Sequence, residues 1–160
     1  MHIEARLATL GLALPPPLVI PAHVRLPFAF IRVAGNRAYI SGHAPLDAEG
    51  RVARPLGKIG SDVTIEQGYE AARLTALSIL GNLQRALGDL DRITSWLRIF
   101  GMVNAAPGFN ELPTVINGCS DLILQLYGPE RGAHARSAVG LAELPFNIPV
   151  EIEAEVEIAV

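Results

Sequence analysis

The apolar positions of this chain change period several times, and each change marks an element. Ile3, Leu7 and Leu10 fall at helical spacing and Gly11 can end the turn, which predicts a short N-terminal helix. Pro15, Pro16 and Pro17 follow as a stiff, extended connector. Two β-prone runs, 28–33 and 37–41, flank Gly35-Asn36, a pair suited to a hairpin turn because glycine accepts the positive φ required. Residues 43–60 hold no period and are expected to form a loop with a short edge strand at 51–54. Thr64 and Gln67 then frame a capping box, and Ala72, Ala76, Ile79, Leu80, Leu83 and Leu87 form one apolar stripe that stops before Gly88.

Residues 93–103 are apolar on both faces, the pattern of a central strand covered on both sides. Pro113 suits a first helical turn, and Val115, Ile116, Cys119, Leu122, Ile123 and Leu126 make a second stripe ended by Gly128. Runs at 136–141 and 150–158 close the chain as strands. The order strand, strand, helix, strand, helix, strand, strand predicts an α+β domain with one sheet and both long helices on one face. The second sheet face must then meet water or a neighbouring chain. In the last strand Val150, Ile152, Ala154, Val156 and Ile158 alternate with Glu151, Glu153, Glu155 and Glu157, which puts four carboxylates on one face about 7 Å apart. Such a row repels itself, so Arg32, Arg37, Arg98 and Arg136 are expected across the sheet from it.

The length of 160 residues fits one domain, 1–160, with residues 1–20 as an N-terminal extension carrying the short helix and the proline connector. Hydrophobic residues make up 50% and charged residues only 18%, which excludes a disordered chain and suggests that copies of the chain cover part of the surface. A net charge of -3 argues against gripping nucleic-acid phosphates. The single cysteine, Cys119, excludes an internal disulfide and thiolate-rich metal sites, and its place in the second stripe makes it a core residue. Glu4 and Arg6 precede the prolines without a cleavage site, and no run nears the roughly 18 apolar residues of a membrane span. A soluble, cytoplasmic protein with no membrane partner is expected.

His2, His23, His43 and His134 lack metal-ligand spacing, so no metal is expected, and His134, two residues before Arg136, reads as a surface loop residue in preference to one lining a cleft. Trp96 and Arg98 read as sharing one strand face in sheet packing. Gly57-Lys58-Ile59-Gly60 lacks the rest of a phosphate-binding loop.

The run His134-Ala135-Arg136-Ser137-Ala138-Val139-Gly140-Leu141, then Leu144-Pro145, then Val150-Glu151-Ile152-Glu153-Ala154, resembles the C-terminal signature of the Rid family, the YjgF-type reactive intermediate deaminases formerly called L-PSP endoribonucleases. Gly35-Asn36 with Ser41-Gly42 resembles that family's G-N-x-x-x-x-S-G element, and Val115-Ile116-Asn117-Gly118 its helix with a site asparagine. The likeness runs from about residue 28 to the end in the family's motif order, and the extension and residues 43–60 resemble a longer bacterial subgroup. It implies a chorismate-mutase-like (ferredoxin-like) α+β fold, a homotrimer with sites at the clefts between subunits, and no cofactor. It also implies hydrolysis of enamines and imines such as 2-aminoacrylate/2-iminopropanoate to a 2-keto acid and ammonia.

By the same resemblance Arg136 takes the place of the substrate-binding arginine and Glu151 that of the catalytic-site glutamate, while Ser41, Gly42 and Asn117 match site-lining positions. Phe28 stands where the family usually has tyrosine and Ala138 where many members have cysteine. Arginine suits a carboxylate ligand because its planar fork donates two parallel hydrogen bonds. A carboxylate such as Glu151 can place or deprotonate an attacking water. Read without the motif, Arg136 is a structural ion pair to the glutamate face. The competing function is a trimeric binder of small carboxylates, keto acids or amino acids, without turnover. Endoribonuclease activity and chorismate mutation rest on the family's old name and on fold alone.

Overall fold

The computed structural model describes residues 2–160. Its elements are α1 (His2–Thr9), β1 (Ile31–Ala34), β2 (Arg37–His43), α2 (Ile65–Leu87), β3 (Ile93–Asn104), α3 (Leu112–Arg131), β4 (Ala135–Leu141) and β5 (Val150–Ile158). The strands form one mixed sheet in the order β1-β2-β5-β3-β4, in which only β3 and β4 run parallel. This is the single-domain α+β fold the sequence predicts.

Local chemistry sets the long helices. Thr64 Oγ1 accepts from the Gln67 backbone N–H at 3.1 Å and Gln67 Oε1 accepts from the Thr64 N–H at 3.0 Å, closing the capping box of α2. Gly88, at φ 82°, ends that helix with its N–H on Gln84 O. Pro113 opens α3, and Gly128, at φ 76°, breaks it where the apolar stripe stops, leaving one further turn to Arg131. Both helices lie on one sheet face, where Leu80, Leu83, Ile116 and Ile123 bury against Ile99, Val103, Val150 and Ile152 in one core. Two glycines bring the layers together. A Cβ on Gly118 would sit 2.0 Å from Tyr69 O of α2, and one on Gly101 would sit 2.6 Å from Ile116.

The N-terminal helix completes this core through Ile3 and Leu7, with Arg6 donating to Leu126 O. The connector then follows α2: Arg85 Nη1 donates to Pro15 O at 3.2 Å, and Val19 N–H donates to Gly50 O at 2.9 Å. No helix among the described residues is long and apolar enough to cross a membrane.

Four local expectations are corrected. The first strand begins at Ile31, leaving Phe28 outside the sheet, and residues 51–54 form no strand, only a bridge between Leu46 and Val52. Trp96 and Arg98 lie on opposite faces, because the β3–β5 register shifts between them: Trp96 pairs with Val156 on the helix side and Arg98 with Glu155 on the open side. Finally, β3 is covered on both sides only near its C-terminal end, where Met102, Leu144 and Ile148 form a second cluster with Val139 and Leu141.

The rest of the outer face is open. There a concavity of about 360 Å³ is lined by Arg32, Tyr39, Ser41, Arg98, Phe100 and two of the glutamates, Glu153 and Glu155. All four β5 glutamates share this face, as the alternation predicts, and Arg37 Nη1 pairs with Glu155 Oε1 at 2.8 Å.

Candidate functional site

The arginine singled out by the sequence lies elsewhere. Arg136 on edge strand β4 pairs with Ile99 of β3, a fully buried core residue, so its side chain leaves the sheet on the helix side. Its Nη1 donates to Asn117 Oδ1 at 2.8 Å and to Ser120 Oγ at 3.1 Å, two acceptors one turn apart on α3. Among the described residues it makes no ion pair, although four glutamates lie on the same sheet. The expected pairing of Arg136 with the glutamate face is therefore corrected, and the structural ion-pair explanation for this arginine goes with it. Ala138, two residues on, pairs with Gly101 on the same side, so the structure brings Arg136, Asn117 and Ala138 to one place at the sheet edge.

A second group forms at the β2–β5 junction on the opposite face. Glu151 pairs with Met102, which points away from the long helices. The β2 ladder is irregular between Ile40 and His43, and the resulting bulge lays Gly42 on the Glu151 side chain, so that a Cβ there would be 2.2 Å from Oε2. Ser41 Oγ donates to Ala29 O at 2.8 Å and its N–H to Phe30 O, tying the bulge to the segment that carries Phe28. Phe28 is 51% exposed and meets Phe30 edge-on at 5.5 Å. Burial, and then the neighbouring charge of Glu153, raise the Glu151 carboxyl above its ordinary pKa.

Gly42→Ala tests this contact. Its neighbour is the end of a flexible side chain, so the Ala variant should fold with stability within about 1 kcal/mol of wild type while displacing the carboxylate. A crystal structure of the variant with Glu151 unmoved would refute the expectation.

One chain thus holds two groups of the predicted residues on opposite sheet faces. Arg136 with Asn117 and Ala138 is one; Glu151 with Gly42 and Ser41, beside the Phe28 segment, is the other. Arg136 and Glu151 do not meet within a chain.

Sequence reasoning did not single out His43, Asn82 or Ser120 as members of these groups. Behind the bulge, His43 is buried; its Nδ1 lies 2.6 Å from Ser41 O, and Asn82 Nδ2 of α2 donates to its Nε2 at 2.8 Å. Beside Arg136, Ser120 Oγ lies 2.9 Å from His134 Nε2, and His134 Nδ1 lies 2.7 Å from Gly132 O. The expectation of a surface loop histidine at 134 is corrected: it is half-buried and hydrogen-bonded at both ring nitrogens. A usable signal existed for Ser120, which follows Asn117 at the i+3 spacing that shares a helix face.

Cys119 is buried, and that burial pushes its thiol up to about 12, consistent with a core residue and not a nucleophile. Glu4, Asp89 and Asp91 gather three carboxylates near the start of α1, where they accept from backbone N–H groups of Ile3, Leu90 and Asp91.

A five-stranded mixed sheet with two long helices on one face places the protein in the chorismate-mutase-like α+β class. The family described as "YjgF/chorismate mutase-like, putative endoribonuclease", which includes the Rid proteins, matches residues 4–152, and the chain belongs to it. Protein TCP17 of Trypanosoma cruzi is 39% identical over 157 residues, covering 98% of this chain and 94% of its own. The crystal structure of Atu1372 from Agrobacterium tumefaciens is similar at 41% identity and a TM-score of 0.87, with 99% and 93% of the two chains covered. E. coli TdcF, solved with bound serine, shares the fold at 17% identity and a TM-score of 0.61, over 92% and 96% of the chains.

Proposed function

We propose that this protein is a cytoplasmic deaminase that hydrolyses reactive enamines and imines bearing a carboxylate, such as 2-aminoacrylate/2-iminopropanoate, to a 2-keto acid and ammonia. The observation that carries the reading is the state of Arg136. A half-buried guanidinium whose partners among the described residues are neutral acceptors leaves its charge uncompensated for an anionic ligand. The bound serine in TdcF, a small molecule with a carboxylate, agrees with such a ligand in a relative of the same fold.

Holding the carboxylate fixes the imine carbon in front of a water. Water adds to that carbon as the nitrogen takes a proton, and collapse of the carbinolamine expels ammonia and leaves the keto group. Glu151 suits the role of base, since its raised pKa strengthens it as a proton acceptor. Because Arg136 and Glu151 lie on opposite faces of one sheet, the reading requires Glu151 from a neighbouring copy, in a homotrimer whose open sheet faces are covered by one another.

The test is ammonia release from freshly generated 2-aminoacrylate. Arg136→Ala and Glu151→Gln should each lose at least about a hundredfold in rate, the scale of a lost charged anchor or base. Mixing the two inactive variants, unfolded and refolded together, should restore part of the activity, because some clefts then receive both intact residues. An inert wild type, or wild-type rates in Arg136→Ala, would end the proposal.

Phe28 and Ala138 favour a second reading, a binder of small keto or amino acids without turnover. Phe28 offers no hydroxyl and Ala138 no thiol to a reacting group. Tight keto-acid binding measured by calorimetry, in a protein that releases no ammonia, would select it.

A further inference from the structure

We propose that Ser120 and His134 are positioning residues that turn the Nε–Nη2 edge of Arg136 toward the ligand carboxylate. The inference rests on the carboxylate-binding reading of Arg136 and adds which edge of the guanidinium does the binding and what aims it.

A guanidinium has five N–H bonds, two of them on Nη1. Both Nη1 hydrogens have acceptors on α3, Asn117 Oδ1 and Ser120 Oγ, so that nitrogen is fully used. Nε and Nη2 have no partner among the described residues. One hydrogen on each points the same way, and that parallel pair matches the two oxygens of a carboxylate.

The arrangement works only if Ser120 accepts from Nη1, and a hydroxyl can turn either way. His134 decides the direction. Its Nδ1 faces Gly132 O at 2.7 Å, a group that only accepts, so Nδ1 carries the ring hydrogen. In the neutral ring Nε2 is then a bare lone pair, 2.9 Å from Ser120 Oγ. The hydroxyl hydrogen goes to Nε2, and an oxygen lone pair is left for Arg136. Ser120 is 7% exposed, which limits the access of water as a substitute partner. The polarity of the whole chain, from Gly132 O through His134 and Ser120 to Nη1, is thereby set by one backbone carbonyl. Without the Ser120 acceptor, one Nη1 hydrogen loses its anchor and the guanidinium can swivel about Cδ–Nε.

The experiment is a calorimetric titration of the intact protein with pyruvate, with melting temperatures recorded for each variant. Ser120→Ala and His134→Leu should bind pyruvate about tenfold more weakly than wild type, about 1.4 kcal/mol. His134→Gln, whose amide oxygen can still accept from Ser120, should recover binding to within about threefold of wild type, as a direct hydrogen bond is replaced by a similar one. Wild-type affinity in Ser120→Ala and His134→Leu, or no recovery in His134→Gln, overturns the proposal. A readout independent of any variant is the ¹⁵N spectrum of His134: a neutral ring with its proton on Nδ1 supports it, and one protonated on Nε2 overturns it. Arg136→Ala separates the two levels. If that variant binds pyruvate as wild type does, or neither binds at all, the carboxylate reading itself falls. If it alone loses binding, only the positioning role falls.

Discussion

Gly118→Ala is expected to be among the most damaging single substitutions in the chain, lowering unfolding free energy by at least about 3 kcal/mol and the melting temperature by about 10 °C. In an isolated helix the change would be favourable by about 1 kcal/mol, because alanine restricts the unfolded chain and glycine does not. Here the added methyl would lie 2.0 Å from Tyr69 O and 3.2 Å from Arg73 N, both backbone atoms of α2. No side chain can swing aside to relieve such a contact, so α2 and α3 must separate and open the core between them. Urea unfolding of wild type and variant measures the difference. A variant as stable as wild type would show that the helices do not cross at Gly118.

Acid should weaken the fold through His43 before it protonates most carboxylates. Burial is the main cause that pulls this histidine from its ordinary 6.5 down to about 4; the Ser41 carbonyl opposes the shift and the charge of Arg85 adds to it. The hydrogen bonds agree with an uncharged ring, since Arg85 Nη2 holds Asn82 Oδ1 at 2.7 Å and thereby turns the Asn82 amide nitrogen toward Nε2. The folded pKa lies below the unfolded one, so the unfolded chain takes up the proton first. Stability is therefore complete above pH 6.5 and is lost as pH falls toward 4, by about 3 kcal/mol for a gap of this size. Unfolding free energies measured across that window should fall steeply in wild type and less steeply in His43→Gln. Equal slopes in the two proteins would remove His43 as the cause.

The elements themselves were legible because their signals are local. A capping threonine with a glutamine three residues on, a stripe of period 3.6 and a closing glycine define α2 within its own span. The alternation in β5 places all four glutamates on one face without reference to another strand. Short runs of neighbouring residues likewise carry the family motif, and they alone mark Arg136, Asn117, Ser41 and Gly42.

The site was legible as a set of residues and not as an arrangement. Neither face of β4 is clearly polar: Arg136, Ala138 and Gly140 alternate with Ser137, Val139 and Leu141. The valine and leucine bury against Met102 under the outer loops, and this sends Arg136 to the helix side, away from the glutamates expected to meet it. A one-residue slip in β3 in the same way parts Trp96 from Arg98. His134 looked like a loop histidine because its partner, Ser120, stands fourteen residues earlier on a helix that only packing brings alongside.

By itself the sequence determined the order of elements, the apolar faces of the two long helices, the glutamate row and the family. These depend on backbone propensity and side-chain period over a few residues, which the chain carries wherever it lies in space. Only the tertiary structure decided that Arg136 and Glu151 face opposite ways, that a histidine and a serine stand behind the arginine, and that Gly42 lies against the glutamate. Those relations depend on strand register and helix crossing, where distant segments compete for the same buried volume and the best packing of the whole selects the face each side chain takes.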